Sequence, residues 1–379
     1  MVVVAIVHGA RRAISIEVLA GPPVKQAIGR WPLGQISEPP GISLGGFLIG
    51  GRVNSHVLAA LSITFVLALG LVRLLCSERL ARLVVDIPND RSLHTVPTPR
   101  TGGIGLMLAA GLGWLLFAKG ALALIAGLAA VLALIFLIDD VRSLAVLPRF
   151  GAQFAAAIAF VAASGPYPIW LVVPLVLGVV WSANLYNFMD GSNGLAGGMT
   201  VFGFAAYALA AHLKGDAEIA IVAGLVAAAA AGFLVWNFDP ARIFLGDAGS
   251  IPLGFLAATI GILGWRRDVW PFWLPLLVFQ PFVADSTVTL IKRALAGEKI
   301  WQAHRSHYYQ RLVQMGWSHR NLALAAYLVM AAAGLTALSL RDAPPWAVLV
   351  SGMVWIAAFS AAAVNIDRLW ARHIQSVRT

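Results

Sequence analysis

The fold class this sequence predicts is an all-α integral membrane protein of roughly ten to eleven transmembrane helices, with catalytic cytoplasmic loops. Three observations predict it. The 379 residues are 60% hydrophobic and only 12% charged, whereas soluble domains carry about a quarter charged residues. The mean hydropathy is +0.82. Apolar segments long enough to cross a bilayer follow one another along most of the chain. The polar residues able to do chemistry fall in alternate connections between those segments.

The first 55 residues contain no such segment. Val2 to Val7 is too short for a signal-peptide core, and Gly21 to Gly51 is rich in Gly and Pro. Residues 1–55 therefore read as a disordered extension, or as one added by a misassigned start. Spans are expected near 57–75, 103–118, 120–138, 150–164, 168–186, 195–213, 218–236, 251–265, 270–290, 321–340 and 345–365. They make residues 56–366 one polytopic domain and leave 367–379 as a cytoplasmic tail.

Charge sets the orientation. Arg79, Arg82, Arg91, Arg100, Arg142, Arg149, Arg242 and the run from Lys292 to Arg320 lie in one set of connections. The other set holds only Lys119, Lys214, Arg266, Arg267 and Arg341. The positive-inside rule makes the first set cytoplasmic. Arg11, Arg12, Lys25, Arg30 and Arg52 would then lie outside, against the rule, unless the extension is not native. The net charge of +10 is explained by cytoplasmic loops facing anionic lipid heads. Removing the spans leaves no basic soluble domain, so nucleic acid is not an expected partner. One cysteine, Cys76, excludes an intramolecular disulfide and a Cys-rich metal site.

Every chemically capable cluster falls on the cytoplasmic side. Asp86 to Arg91, His94 and Pro97 to Gly103, with Arg100, form the first. Asp139 and Asp140 close an apolar helix, where carboxylates either face a polar cavity or are solvated at the helix end. Asn184, Asn187 and Asp190 repeat every three residues, which on a helix places them on one face. Their oxygens suit a hard cation, and helix capping is the structural alternative. Gly246-Asp247-Ala-Gly249-Ser250 precedes a helix, where backbone N–H groups can cradle an anion and Asp247 can hold magnesium against it. Ser250 as a simple N-cap is the alternative. His304, Arg305, His307 and Arg311 suit a diphosphate. The other readings there are a solvated basic loop, or zinc, which lacks two further ligands nearby.

Taken in order, these motifs resemble the polyprenyl-phosphate N-acetylhexosamine-1-phosphate transferases. The resemblance covers roughly residues 57–365 and rests on Asp-x-Pro-Asn-x-Arg-x-x-His, Pro-x-Pro-Arg-x-Gly-Gly, the Asp-Asp pair, Asn-x-x-Asn-x-x-Asp-Gly, Phe-x-Gly-Asp-x-Gly-Ser and the His-rich last loop. That loop reads His-Arg-Ser-His, closer to the branch that initiates O-antigen and related polysaccharides. The resemblance implies transfer of a sugar-1-phosphate from a UDP-N-acetylhexosamine to undecaprenyl phosphate, with release of UMP, at the cytoplasmic face of a bacterial inner membrane. It implies magnesium, or manganese, on Asp247 and Asn187. Asp139 and Asp140 would deprotonate the lipid phosphate or organise the site, and Asp190 would contact nucleotide or metal. Asn184, Arg100, Arg305 and Arg311 would bind substrate, and His304 and His307 would grip the diphosphate. Asn193 stands where many relatives carry Asp, and it receives no acid–base role. The sugar, the choice between direct and double displacement, and a homodimer remain open. The rival class is an ion-coupled transporter, whose carboxylates sit near the bilayer midplane on paired repeats.

Overall fold

The computed structural model describes residues 48–49, 52–53, 55–82, 84–88, 92–299, 302 and 304–378. Nearly all of the 1–55 extension lies outside these residues, as do Asn89, Asp90 and Arg91 of the first motif. The helices are α1 (Ser55–Leu75), the single turn α2 (Glu78–Ala81), α3 (Gly102–Phe117), α4 (Gly120–Arg142), α5 (Val146–Ala163), α6 (Ile169–Phe188) and α7 (Leu195–Lys214). They continue as α8 (Ala217–Asn237), α9 (Asp247–Arg266), α10 (Leu274–Val278), α11 (Gln280–Leu295), α12 (Tyr308–Gln314), α13 (His319–Leu340) and α14 (Pro345–Arg378).

Nine of these are long and apolar enough to cross a membrane, counted among the described residues. The other two expected spans are helical but different. The segment near 103–118 is α3, 16 residues long. The segment near 270–290 is not one helix: it is divided into α10 and α11, which meet at Phe279. Proline causes the division. Pro275 and Pro281 occupy the first turns of the two pieces, where a missing N–H is harmless, whereas a proline inside a continuous helix removes a hydrogen bond and clashes. Over 367–378 the chain continues α14, which runs to Arg378.

The core is built around α9, the most buried span. It packs on α4 and α6, while α8 packs on α1, α3 and α7. Small residues permit this. Gly254 lies so close to the Ser182 backbone of α6 that an added Cβ would be 2.3 Å from its carbonyl oxygen. Without a solvent-driven hydrophobic force inside lipid, such close backbone approach is the main source of helix association. At the other extreme, α14 has no buried residue in its apolar stretch.

Candidate functional site

The frame of the site is a short extended ladder where α3 and α9 begin. Val85–Asp86 pairs antiparallel with Thr98–Pro99, and Arg100 N–H donates to the Val84 carbonyl at 3.0 Å. On the other edge, Phe244 N–H donates to Pro99, and Gly102 and Gly103 donate to Phe244 and Leu245. The segment before α3 is thus held between two others, and Arg100 is carried to the start of α9. Two glycines make this approach feasible. Gly246 has φ +73°, and a Cβ there would lie 2.2 Å from the Arg100 carbonyl oxygen. A Cβ on Gly103 would lie 2.4 Å from Gly249 Cα.

Four carboxylates and two guanidiniums meet on this frame. Arg100 bridges Asp140 (2.5 Å) and Asp247 (3.2 Å). Arg149 bridges Asp139 (3.0 Å) and Asp247 (3.2 Å). Asp140 also accepts from the Ala248 N–H at 3.1 Å in the first turn of α9, and Asp139 accepts from Leu144 N–H at 2.7 Å just past α4. Asn187 Nδ2 donates to Asp247 (2.9 Å) and Ser250 (3.0 Å). Burial works against the Arg100 charge, but Asp140 and Asp247 outweigh it and hold the guanidinium protonated. Asp190 stands beside this group. Asp139, Asp140 and Asp247, set against Arg100 and Arg149, leave one negative charge uncompensated, and Asp190 adds a fourth carboxyl that burial pushes toward its neutral form.

That sum is the test of a metal. A bound cation would offset that charge, and carboxylate oxygens are donors that hard cations prefer; Asn187, whose Nδ2 meets Asp247 here, would offer its oxygen with the amide turned over. Among the described residues no three His, Cys, Asp or Glu side chains form a ready-made cage. Magnesium seldom uses one; it binds through one or two carboxylates together with substrate phosphates. The residues present fit magnesium on that pattern.

The cluster forms one wall of a polar cleft of about 610 Å³. Arg100, Asn187, Asp190 and Asp247 line it, with His94, Phe244, Gln310 and His319 opposite or beside them. Its size is that of a small-ligand site. His94 Nε2 is buried with no hydrogen-bond partner among the described residues, and its ring meets Phe244 edge-on at 4.9 Å.

The sequence-predicted residues divide into two groups. Arg100, Asp139, Asp140, Asn187, Asp190 and Asp247 come together. The rest are placed otherwise. Asn184 is on α6 but donates to Gln153 (2.5 Å) and Val180, bracing α5 against α6. Asp190 is not on the helical face of Asn184 and Asn187, because α6 ends at Phe188. Ser250 does not cap α9, which starts three residues earlier, at Asp247. His304 and His307 do not share a helical face: His307 is the extended N-cap of α12 and His304 precedes it. Their rings nevertheless stack at 4.8 Å. Neither lines the cleft; His307 is buried against Asp285, with Nδ1 3.2 Å from its carboxylate. Arg311 is paired with Asp367 at 2.7 Å, and Arg305 is exposed. Asn193 donates to Asp239 at 2.8 Å, as a loop tie.

Four residues in or around the site were not singled out for it by sequence. Arg149 was legible only as a topological charge. Asp285, inside an apolar run on α11, accepts from the N–H groups of Tyr308 and Tyr309 at 3.0 Å each and so sets the start of α12. That brings Gln310 to the cleft. His319 joins Ser192 (2.8 Å) and the Leu93 carbonyl (3.3 Å) across it.

Burial, and then the charge of Asp247, push the Asp190 carboxyl well above its ordinary range. A carboxyl with a raised folded-state pKa stabilises the fold at low pH and loses that contribution as pH rises through the raised value. In chelator, wild-type stability is expected to fall as pH rises above the ordinary carboxylate range, about 3.9. Asp190→Asn is expected to flatten that fall, measured as melting temperature against pH in detergent.

Residues 122–265 match the family model described as glycosyl transferase family 4. The chain is 31% identical over 281 residues to a Bacillus subtilis (strain 168) protein named "Probable undecaprenyl-phosphate N-acetylglucosaminyl 1-phosphate transferase", covering 69% of this chain and 78% of that one. It is 30% identical over 321 residues to the decaprenyl-phosphate N-acetylglucosaminephosphotransferase of Mycobacterium tuberculosis (strain CDC 1551 / Oshkosh), covering 72% and 78%. A shorter match, 32% over 177 residues, covers 46% of this chain and 53% of the phospho-N-acetylmuramoyl-pentapeptide-transferase of Staphylococcus saprophyticus.

Proposed function

Because this chain belongs to glycosyl transferase family 4, the polyprenyl-phosphate N-acetylhexosamine-1-phosphate transferases, we propose that it transfers N-acetylhexosamine-1-phosphate from a UDP-sugar to undecaprenyl phosphate, with magnesium or manganese bound at Asp247. The observation that carries the reading is the cluster of four carboxylates and two bridging arginines on the wall of a polar cleft at one end of the helices. Phosphoryl transfer asks a protein mainly to position two anions and to offset the charge that develops between them. A midplane ion path asks for neither, and the cluster stands at helix ends rather than on paired repeats.

The cleft on the Arg100 side takes the UDP-sugar. Phe244 offers its ring, and Gln310, His94 and His319 offer hydrogen-bonding groups. The acceptor approaches from the Arg149 side, where Val146 and Leu147 expose apolar side chains at the start of α5. An oxygen of the lipid phosphate forms a bond to the β-phosphorus, and the bond between that phosphorus and the bridging oxygen breaks. UMP leaves with the electron pair, and the diphosphate-linked sugar stays on the lipid. Asp247, with the Asn187 oxygen, would hold the cation, which when bound screens the diphosphate and polarises its oxygens. Arg100 and Arg149 orient the two phosphates. Asp139 and Asp140 each hold an arginine on one oxygen and a backbone N–H on the other, which supports a role in organising the arginines.

N-acetylglucosamine is the donor sugar favoured by the names of two of the relatives quoted above. Assignment to O-antigen synthesis rests on the His-Arg-Ser-His loop alone; those relatives are named for transfer of N-acetylglucosamine phosphate to polyprenyl phosphates and of phospho-N-acetylmuramoyl-pentapeptide. The site is taken to face the cytoplasm at a bacterial inner membrane, and the charge bias of the connections supports the cytoplasmic side. Inverted membrane vesicles are expected to release UMP from UDP-N-acetylglucosamine when undecaprenyl phosphate and magnesium are supplied. Sealed right-side-out vesicles are expected not to. Release independent of the lipid phosphate, or release from the outer face, would overturn the reading; a carrier would give no UMP at all.

A further inference from the structure

The short helix α12 stands beside the cleft, yet Gln310 is its one residue in the polar lining. Its first turn is tied to other elements instead. Asp285 of α11 accepts from the Tyr308 and Tyr309 N–H groups at 3.0 Å each, one on either carboxylate oxygen, and lies 3.2 Å from His307 Nδ1. Thr289, one turn further along α11, donates to the same carboxylate at 3.1 Å. Gln310 Oε1 accepts from the His307 N–H at 3.1 Å. Arg311 and the Tyr308 hydroxyl meet Asp367 of α14 at 2.7 and 3.3 Å. The charges around α12 balance, with Lys292 and Arg311 set against Asp285 and Asp367. A neutral, hydrogen-bonded knot of this kind fixes a helix in place.

What α12 meets next is the turn that carries Asp190. Tyr309 is 4% exposed. Its hydroxyl donates at 3.0 Å to the carbonyl of Phe188, the last residue of α6. Such a carbonyl has no partner within its own helix, so Tyr309 supplies one. Gly191 lies against the same hydroxyl, where an added Cβ would be 2.3 Å from the oxygen. The His307 ring stacks on both Phe188 and Tyr309, at 6.0 and 5.9 Å between centroids. Asp190 lies between Phe188 and Gly191 in the chain. Burial, then the charges of Asp285 and Asp190, hold the Tyr309 phenol neutral and able to donate.

We infer that Asp285 and Tyr309 are positioning residues: Asp285 sets the start of α12, the Tyr309 hydroxyl holds the turn from Phe188 to Gly191, and Asp190 is thereby kept on the wall of the cleft that, on the reading proposed above, takes the UDP-sugar. Neither side chain lines that cleft, so both act through the turn.

The test uses the full chain in detergent. Tyr309→Phe keeps the ring and removes only the hydroxyl. Amides of the 188–192 segment are expected to exchange hydrogen about 10-fold faster in this variant, the scale of one hydrogen bond. KM for the UDP-sugar is expected to rise by about the same factor, while KM for undecaprenyl phosphate stays at the wild-type value. Asp285→Asn replaces one acceptor oxygen by a donor and is expected to move both readouts the same way. The double variant is expected to show less than the sum of the two effects, because both act through one contact. Unchanged exchange over 188–192 in Tyr309→Phe would overturn the inference. So would a lowered melting temperature with both KM values unchanged, or strictly additive effects. Tyr309→Phe decides alone if Asp285→Asn fails to fold. The exchange comparison needs no turnover: absence of UMP release from wild-type protein would sink the proposed reaction, and exchange would still decide whether Tyr309 holds the turn.

Discussion

Asp247→Ala is expected to lower turnover by about 10³-fold or more, the scale on which loss of a preorganised charge-stabilising group is felt. This carboxylate is the hub of the cluster: Arg100 and Asn187 meet one oxygen, and Arg149 meets the other. It also opens α9, where the helix dipole and free N–H groups already favour anions. Its removal takes away the proposed cation's main ligand and the shared partner of both arginines. Asp247→Asn is expected to be nearly as inactive, because an amide supplies one neutral oxygen and no charge. Reversible inhibition by EDTA, restored by magnesium or manganese, completes the expectation. Turnover of purified protein checks it, with melting temperature showing that the variant is folded. Wild-type turnover in either Asp247 variant or in EDTA would remove the metal site.

Arg149→Ala is expected to cost roughly 10²-fold in turnover, the lower end of the same range. Arg149 reaches across from α5 to join Asp139 and Asp247 through two different nitrogens. A planar guanidinium can make that bridge, and the single ammonium of lysine cannot. Arg149→Lys is therefore expected to recover little of the loss. If Arg149 orients the acceptor, KM for undecaprenyl phosphate rises in both variants while KM for the UDP-sugar changes little. The opposite pattern would move Arg149 to the donor side.

The membrane fold was legible because its signal is compositional. Long apolar runs need no partner to be recognised, and ten of the eleven expected spans appear as single helices. The eleventh failed at Pro275 and Pro281, whose effect on continuity depends on where each helix begins. The carboxylates were legible because charge at the end of an apolar helix is costly and therefore conspicuous. What sequence could not supply was direction. His307 and Arg311 read as a diphosphate clamp from residue type alone, yet they face Asp285 and Asp367, which lie 22 and 56 residues away along the chain. Arg149 and His319 went unseen for the same reason: their partners Asp247 and Ser192 are 98 and 127 residues distant. Asp285, alone in an apolar run, could have been singled out by the rule that exposed the aspartate pair.

The central claim is that a phosphorylated sugar moves, rather than the sugar alone. UDP-N-acetylglucosamine labelled separately at its α- and β-phosphorus, incubated with purified protein, undecaprenyl phosphate and magnesium, tests it directly. The account predicts that the β-label enters the lipid and the α-label leaves as UMP. Both labels leaving together as UDP, with the sugar on the lipid, would contradict it.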